Sequence, residues 1–207
     1  DPQLNTLLIR RESKTTPRNY LLYHLDAQRW ESLTDYPNPY PQLTDLRTEL
    51  VTYPRADGIP LSGVLYYPTD YQPGKRYPLI INAYPDEYTD AATASQVTRS
   101  DNRFPLFWGS SFKYLALKGY MVLAHASIPI VGDPQTVNES FIEQTLGSVE
   151  AAINYLDDSG LIDRQKVGIV GHSYGAFMVA TVLAHSELCS CGIARSGAYN
   201  RTLTPFG

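Results

Sequence analysis

Val167-Gly168-Ile169-Val170-Gly171-His172-Ser173-Tyr174-Gly175-Ala176-Phe177-Met178 is the stretch on which the reading of this 207-residue chain turns. A β-branched run leads into Gly-His-Ser-Tyr-Gly, and a continuous apolar run follows. That pattern predicts a strand, a sharp turn with Ser173 at its apex, and a buried helix. Gly171 and Gly175 have a steric job in such a turn, because neighbouring backbone must pass close to a strained serine. The bland alternative is a glycine-rich turn with a solvent-facing serine. A Gly-x-Ser-x-Gly string is weak by itself, and it gains weight here because a strand precedes it and a helix follows.

Upstream of that turn, residues 77 to 84 form a largely apolar run, as expected of a central strand covered on both faces. Residues 85 to 105 are polar and patternless, either a functional loop or a solvated insertion. Phe107 to Lys118 reads as a helix stopped by Gly119, Tyr120 to Ala126 as a strand, and Ser127 to Val137 as a loop. Ser140 and Glu143 have capping-box spacing, and Ile142, Leu146, Val149, Ile153 and Leu156 then fall on one helical face. Lys166 to Val170 leads into Ser173, residues 176 to 184 are apolar nearly all round, and Cys191 to Ala194 reads as one more strand. Alternating strands and helices of this kind predict an α/β unit with a mostly parallel sheet. Ligands in such sheets bind beyond the carboxyl ends of the strands, where Tyr84, Ser173 and Arg195 are placed.

The first part of the chain reads differently. Residues 4 to 10 and 19 to 25 look like strands, and Trp30 to Thr34 is the candidate for a third. The Pro-rich connector Asp35 to Pro41 follows. So few antiparallel strands cannot build a core alone. Residues 1–45 are therefore expected to close an all-β domain, and 46–207 to form the α/β unit. That unit opens with strands at 49 to 53 and 61 to 67 about an Asp57-Gly58 turn.

The formal charge of −4 argues against a nucleic-acid partner, which needs a basic patch. No apolar run is long enough for a membrane span, and no signal-peptide pattern opens the sequence. Cys189 and Cys191 stand two apart on a strand, which points them to opposite faces. They read as buried thiols rather than a disulfide. No metal or cofactor is expected.

A serine hydroxyl needs a base to become a nucleophile. His185 is one helix from Ser173 and cannot fold back over the strand ends. His172 points away from the hydroxyl, His24 belongs to the β fragment, and His125 reads as a packed histidine. No general base is therefore available within the chain, and the expectation is a fragment cut before its acid and histidine. The oxyanion of an acyl-transfer intermediate needs donors. The backbone N–H of Tyr174 is one candidate. The other normally comes from the loop after the strand ending at Tyr84, where no glycine-rich turn stands. The Tyr84 hydroxyl could donate instead, or the ring could simply cap the strand end.

A tyrosine at that strand end, a Gly-His-Ser-Tyr-Gly turn and preceding β-strands together resemble the prolyl oligopeptidase family of serine peptidases. Pro39-Tyr40-Pro41, Ala83-Tyr84-Pro85-Asp86-Glu87-Tyr88, Ser127-Ile128-Pro129-Ile130 and Cys191 to Gly207 are similar to its glutamyl endopeptidase branch. The resemblance implies an incomplete α/β-hydrolase domain, preceded by the last strands of a β-propeller at residues 1–45. It implies a Ser-Asp-His triad with Ser173 as nucleophile and with Asp and His beyond residue 207. It places Tyr84 and the Tyr174 amide in the oxyanion hole. Peptides are the implied substrate, the rest of the same chain is the implied partner, and this piece alone is expected to be inactive. An acidic preference would need a cation, for which Arg195 and Arg201 are candidates, though either could pair structurally. Bacterial periplasm, cytoplasm or plastid are the compartments the branch implies. The alternatives are an esterase or lipase of the same fold, or a non-catalytic interaction module.

Overall fold

The computed structural model describes residues 4–43, 46–100, 102–107, 109 and 111–199. The chain divides into two compact units, Asp1–Leu46 with Ser100–Gly109, and Arg47–Arg99 with Ser110–Gly207.

In the first unit β1 (Thr6–Arg11), β2 (Asn19–His24) and β3 (Arg29–Ser32) form an antiparallel sheet in that order. Tyr23 and Trp30 face each other in register across β2 and β3, ring centroids 4.6 Å apart. Such a cross-strand aromatic pair supplies local stability to a thin sheet. The buried Asn19 anchors the Pro-rich connector. Its side-chain Oδ1 accepts from the Thr34 hydroxyl at 2.8 Å and from the Tyr36 N–H at 2.7 Å. Prolines remove donors from this segment, and a side-chain amide replaces part of the missing ladder.

The second unit holds a six-stranded sheet in the order β4-β5-β7-β6-β8-β9. Its strands are β4 (Thr48–Pro54), β5 (Pro60–Tyr66), β6 (Tyr77–Tyr88), β7 (Met121–Val131), β8 (Ile162–His172) and β9 (Cys191–Arg195). The β4/β5 and β5/β7 pairs are antiparallel, and β7/β6, β6/β8 and β8/β9 are parallel. The parallel part is thus the whole of the strand–helix alternation that begins at Tyr77. Helices α2 (Phe141–Asp158) and α3 (Tyr174–His185) bury Val149, Ile153, Leu156 and Val179 against Leu79, Ile81 and Leu123.

Four sequence expectations change. Strands β6 and β7 run on past Tyr84 and Ala126, pairing Pro85 with Ile128 through Tyr88 with Val131. The stretch looked like loop because it is polar on one face and carries prolines, while Pro85, Ile128 and Ile130 are buried on the other. Within the expected loop, Ala91–Ala94 forms a one-turn helix, α1, with the Asp90 carboxylate accepting from the Thr93 N–H at 2.8 Å. The helix expected from Phe107 is only a 3₁₀ segment at Phe112–Lys118, although Gly119 does close it in the left-handed region at φ 85°. Ser140 does not cap α2 with its side chain; its hydroxyl donates to the Val137 carbonyl at 3.2 Å and accepts from Gln144 at 2.8 Å. The buried stripe of α2 accordingly starts at Phe141, and Ile142 is exposed.

A polar cluster that no motif announces closes one edge of this sheet. The Arg55 guanidinium is buried and donates to both Asp57 carboxylate oxygens (2.9 and 2.8 Å), the Pro129 carbonyl (2.8 Å), Gln144 Oε1 (3.0 Å) and Ser148 Oγ (3.1 Å). It ties the β4–β5 turn to β7 and α2. A buried charge is tolerated when paired and hydrogen-bonded in this way.

Candidate active site

Ser173 sits between the last residue of β8 and the first of α3, with φ 56° and ψ −117°. A non-glycine residue there stores about 1–3 kcal/mol of strain, which the surrounding structure must hold. Three backbone bonds hold it. The Ser173 N–H donates to the Arg195 carbonyl at 2.9 Å, and its own carbonyl accepts from Ala176 at 2.9 Å and Phe177 at 3.3 Å. The flanking glycines are required sterically. A Cβ on Gly171 would lie 2.1 Å from the Gly175 carbonyl oxygen, and one on Gly175 would lie 2.8 Å from the Ala83 carbonyl oxygen. The turn therefore rests directly on β6 at Ala83–Tyr84. The Ser173 side chain is exposed, and no side chain among the described residues hydrogen-bonds to its hydroxyl.

Tyr84 is half exposed on β6, and its ring meets the Tyr174 ring edge-on, centroids 6.0 Å apart at 82°. The Tyr174 N–H is the first of α3, one of the N-terminal amides that carry the positive end of the helix dipole. The Tyr174 ring stacks on Phe141 at 5.5 Å and 23°, and its hydroxyl donates to Glu87 Oε1 at 2.9 Å. Ser173, Tyr174 and Tyr84 are thus gathered at one place. Arg195 is brought beside them at the end of β9, paired in register with His172. Arg201 lies outside the described residues. Glu87 was not singled out in the sequence, because a carboxylate inside an apparent loop carries no periodic signal.

A polar cleft opens beside Tyr84, lined among others by Asn82, Asp86, Arg99, His125 and His172. His125 does not end its strand. It occupies a bulge in β7, with φ 54°, where Leu123 pairs with Ile81 but Ala126 with Ala83. The extra residue turns its ring outward, so His125 is exposed rather than packed. Burial raises the Tyr88 phenol, and the nearby Asp86 carboxylate adds to that, while Arg99 acts in the opposite sense. His185 ends α3 and is exposed; His24 lies in the first unit, 3.1 Å from Glu31.

The cysteines divide. Cys189 is buried, and burial pushes its thiol up to about 12, whereas Cys191 is exposed. Both are free. Cys191 was expected inside, but β9 is the last strand of the sheet and all five of its residues are exposed. Among the described residues no group of three or more His, Cys, Asp or Glu side chains could hold a metal, and no helix is long and apolar enough to cross a membrane.

Residues 137–205 match the prolyl oligopeptidase family. The chain is 42% identical, over 205 residues, to a probable chloroplastic glutamyl endopeptidase of Arabidopsis thaliana, covering 97% of this chain and 21% of that protein. It is 26% identical over 185 residues to dipeptidyl peptidase 8 of Mus musculus, covering 83% and 19%. Among solved structures it is similar to the AtxE2 isopeptidase (TM-score 0.62, 27% identity, 91% of this chain and 29% of that one). It shares its fold with dipeptidyl peptidase 4 of Porphyromonas gingivalis (TM-score 0.67, 18% identity, 92% and 27%). The chain spans about a fifth of the length of the curated relatives it matches.

Proposed function

We infer, for a chain that belongs to the prolyl oligopeptidase family, that Ser173 is the nucleophile of a serine peptidase. The observation that carries this reading is the strained Ser173 backbone at a strand–helix junction, with φ 56° held by three hydrogen bonds. Strain of that kind is costly and is kept where it presents a reactive group. In the proposed reaction Ser173 Oγ attacks the scissile carbonyl carbon and passes its proton to a histidine. The resulting oxyanion takes hydrogen bonds from the Tyr174 N–H and the Tyr84 hydroxyl, and the histidine then returns the proton to the leaving amine. We read the histidine and its aspartate as lying beyond residue 207, and on that reading this segment is expected to be inactive by itself. Residues 1–45 are read as closing strands of a β-propeller, and 46–207 as the first part of the peptidase domain.

The name of the chloroplast relatives supports a preference for glutamate before the cleaved bond. Arg195, which makes the last parallel pairing with His172 beside the serine, is the cation proposed to meet that side chain.

A fluorophosphonate probe tests the nucleophile. The protein at the length of its relatives should label at Ser173 and the 207-residue segment should not. Ser173→Ala should lower peptide hydrolysis about 10⁴-fold or more, as for nucleophiles of this type. Tyr84→Phe should lower kcat about 10²-fold with KM little changed, the signature of one lost oxyanion donor. Labelling at another serine would overturn the assignment. Equal turnover of Glu and Gln peptides would remove the acidic preference alone.

A further inference from the structure

The Tyr174 ring is held at its far end. Its hydroxyl donates to Glu87 Oε1 at 2.9 Å, although the two residues are 87 positions apart in sequence. A hydrogen bond between exposed groups contributes little stability, so the interest of this one lies in what it joins. Glu87 stands on β6 three residues beyond Tyr84, on the face shared by Ala83 and Pro85. Tyr174 is the residue after Ser173. The turn and β6 therefore meet twice. One contact is backbone on backbone, where Gly175 leaves no room for a Cβ against the Ala83 carbonyl. The other is the Glu87 carboxylate on the Tyr174 phenol. The residues that carry both proposed oxyanion donors are flanked by these contacts, Tyr84 between Ala83 and Glu87 on β6 and Tyr174 just before Gly175, and their two rings meet edge to face.

We propose that Glu87 is a positioning residue, which fixes the Tyr174 ring and through it the aim of the Tyr84 hydroxyl and the Tyr174 N–H. The neighbouring rings of Phe141 at 5.5 Å, Phe177 at 6.3 Å and Tyr84 at 6.0 Å make only apolar contacts with it, and such contacts leave a ring able to rock in its plane. A hydrogen bond at the hydroxyl, the end of the ring remote from Cα, removes that freedom. Donors aimed at a developing oxyanion lose effect steeply when misplaced, so the constraint acts on kcat rather than on binding. This inference rests on the peptidase reading above.

A double-mutant cycle in the protein at the length of its relatives tests it, with Glu87→Ala, Glu87→Gln, Tyr174→Phe and the Glu87→Ala/Tyr174→Phe pair. Glu87→Ala should lower kcat about tenfold with KM within about twofold, because donors shift while substrate contacts remain. Tyr174→Phe keeps the backbone donor and should match it. The pair should be no worse than either single change, since both remove one interaction. Glu87→Gln keeps an acceptor oxygen and should recover most of the loss. Unchanged kcat in Glu87→Ala, or losses that multiply in the pair, would overturn the proposal while leaving the nucleophile in place. A wild-type protein that neither cleaves peptides nor labels at Ser173 would remove the peptidase reading, and this inference with it.

Discussion

The two edges of the six-stranded sheet are finished in opposite ways. At the β4 edge, the outer strand alternates exposed and buried residues, and Val51 and Tyr53 pack inward. Pro54 and Glu49 stand on its exposed positions, features that discourage further strand pairing. Arg55 then locks the turn to β7 and α2 through Asp57, Gln144 and Ser148. At the β9 edge all five residues are exposed, Ile193 at 60%, and the neighbouring helix leaves Leu183 at 40%. Helix α3 reads as apolar all round, yet Leu183 and Ala184 are bare for the same reason. One edge is closed by its own side chains. The other presents apolar surface and backbone that a parallel sheet ordinarily covers. The proposed site lies toward the open edge, since Ser173 leans on the Arg195 carbonyl.

The largest expected effect tests the closed edge. Arg55→Met should cost about 3 kcal/mol in urea unfolding, because it strands several acceptors arranged around a buried cation. A cost under about 1 kcal/mol would mean that the turn does not depend on that cluster.

Acid should act on the same edge. The Arg55 guanidinium holds the Asp57 carboxyl below its ordinary 3.8. A lowered folded value means that the ion pair contributes fully above the ordinary value and is lost as pH falls through the folded one. Melting temperatures measured between pH 7 and pH 2 should therefore drop below about pH 4, with a smaller drop in Asp57→Asn. Parallel curves for the two proteins would count against the pair.

The smallest expected effect belongs to the open edge. Ile193→Ser in this segment should change stability by no more than about 0.5 kcal/mol, as for an exposed position. In the protein at the length of its relatives, the same change should cost about 1–2 kcal/mol if the face is covered there. Equal, negligible costs in both would mean that β9 is a true edge.

Much of this was legible beforehand, for particular reasons. The turn around Ser173 was readable because its constraint is local. A strand, two glycines and a helix start fall within twelve consecutive residues. The strand–helix alternation after Tyr77 was readable because apolar runs of that kind suit a sheet covered on both faces. The ends of β6 and β7 were not. Pro85 and Pro129 suppress strand propensity locally, and pairing with each other's neighbours overrides it. His125 was misplaced because a bulge has no sequence mark when its extra residue is not glycine. Phe107 carries the apolar pattern of a helix start, but it belongs to the first unit, buried and beside Tyr40.

Local sequence was enough to say which serine would be strained, and that the unit around it would be α/β. Chain chemistry within a few residues decides both. That β7 lies between β5 and β6, that Arg55 closes one edge, and that Glu87 reaches Tyr174 all depend on the assembled fold. Those are contacts between residues tens of positions apart. Their free energy comes from burial and pairing that exist only once the sheet has assembled, so no local pattern carries them.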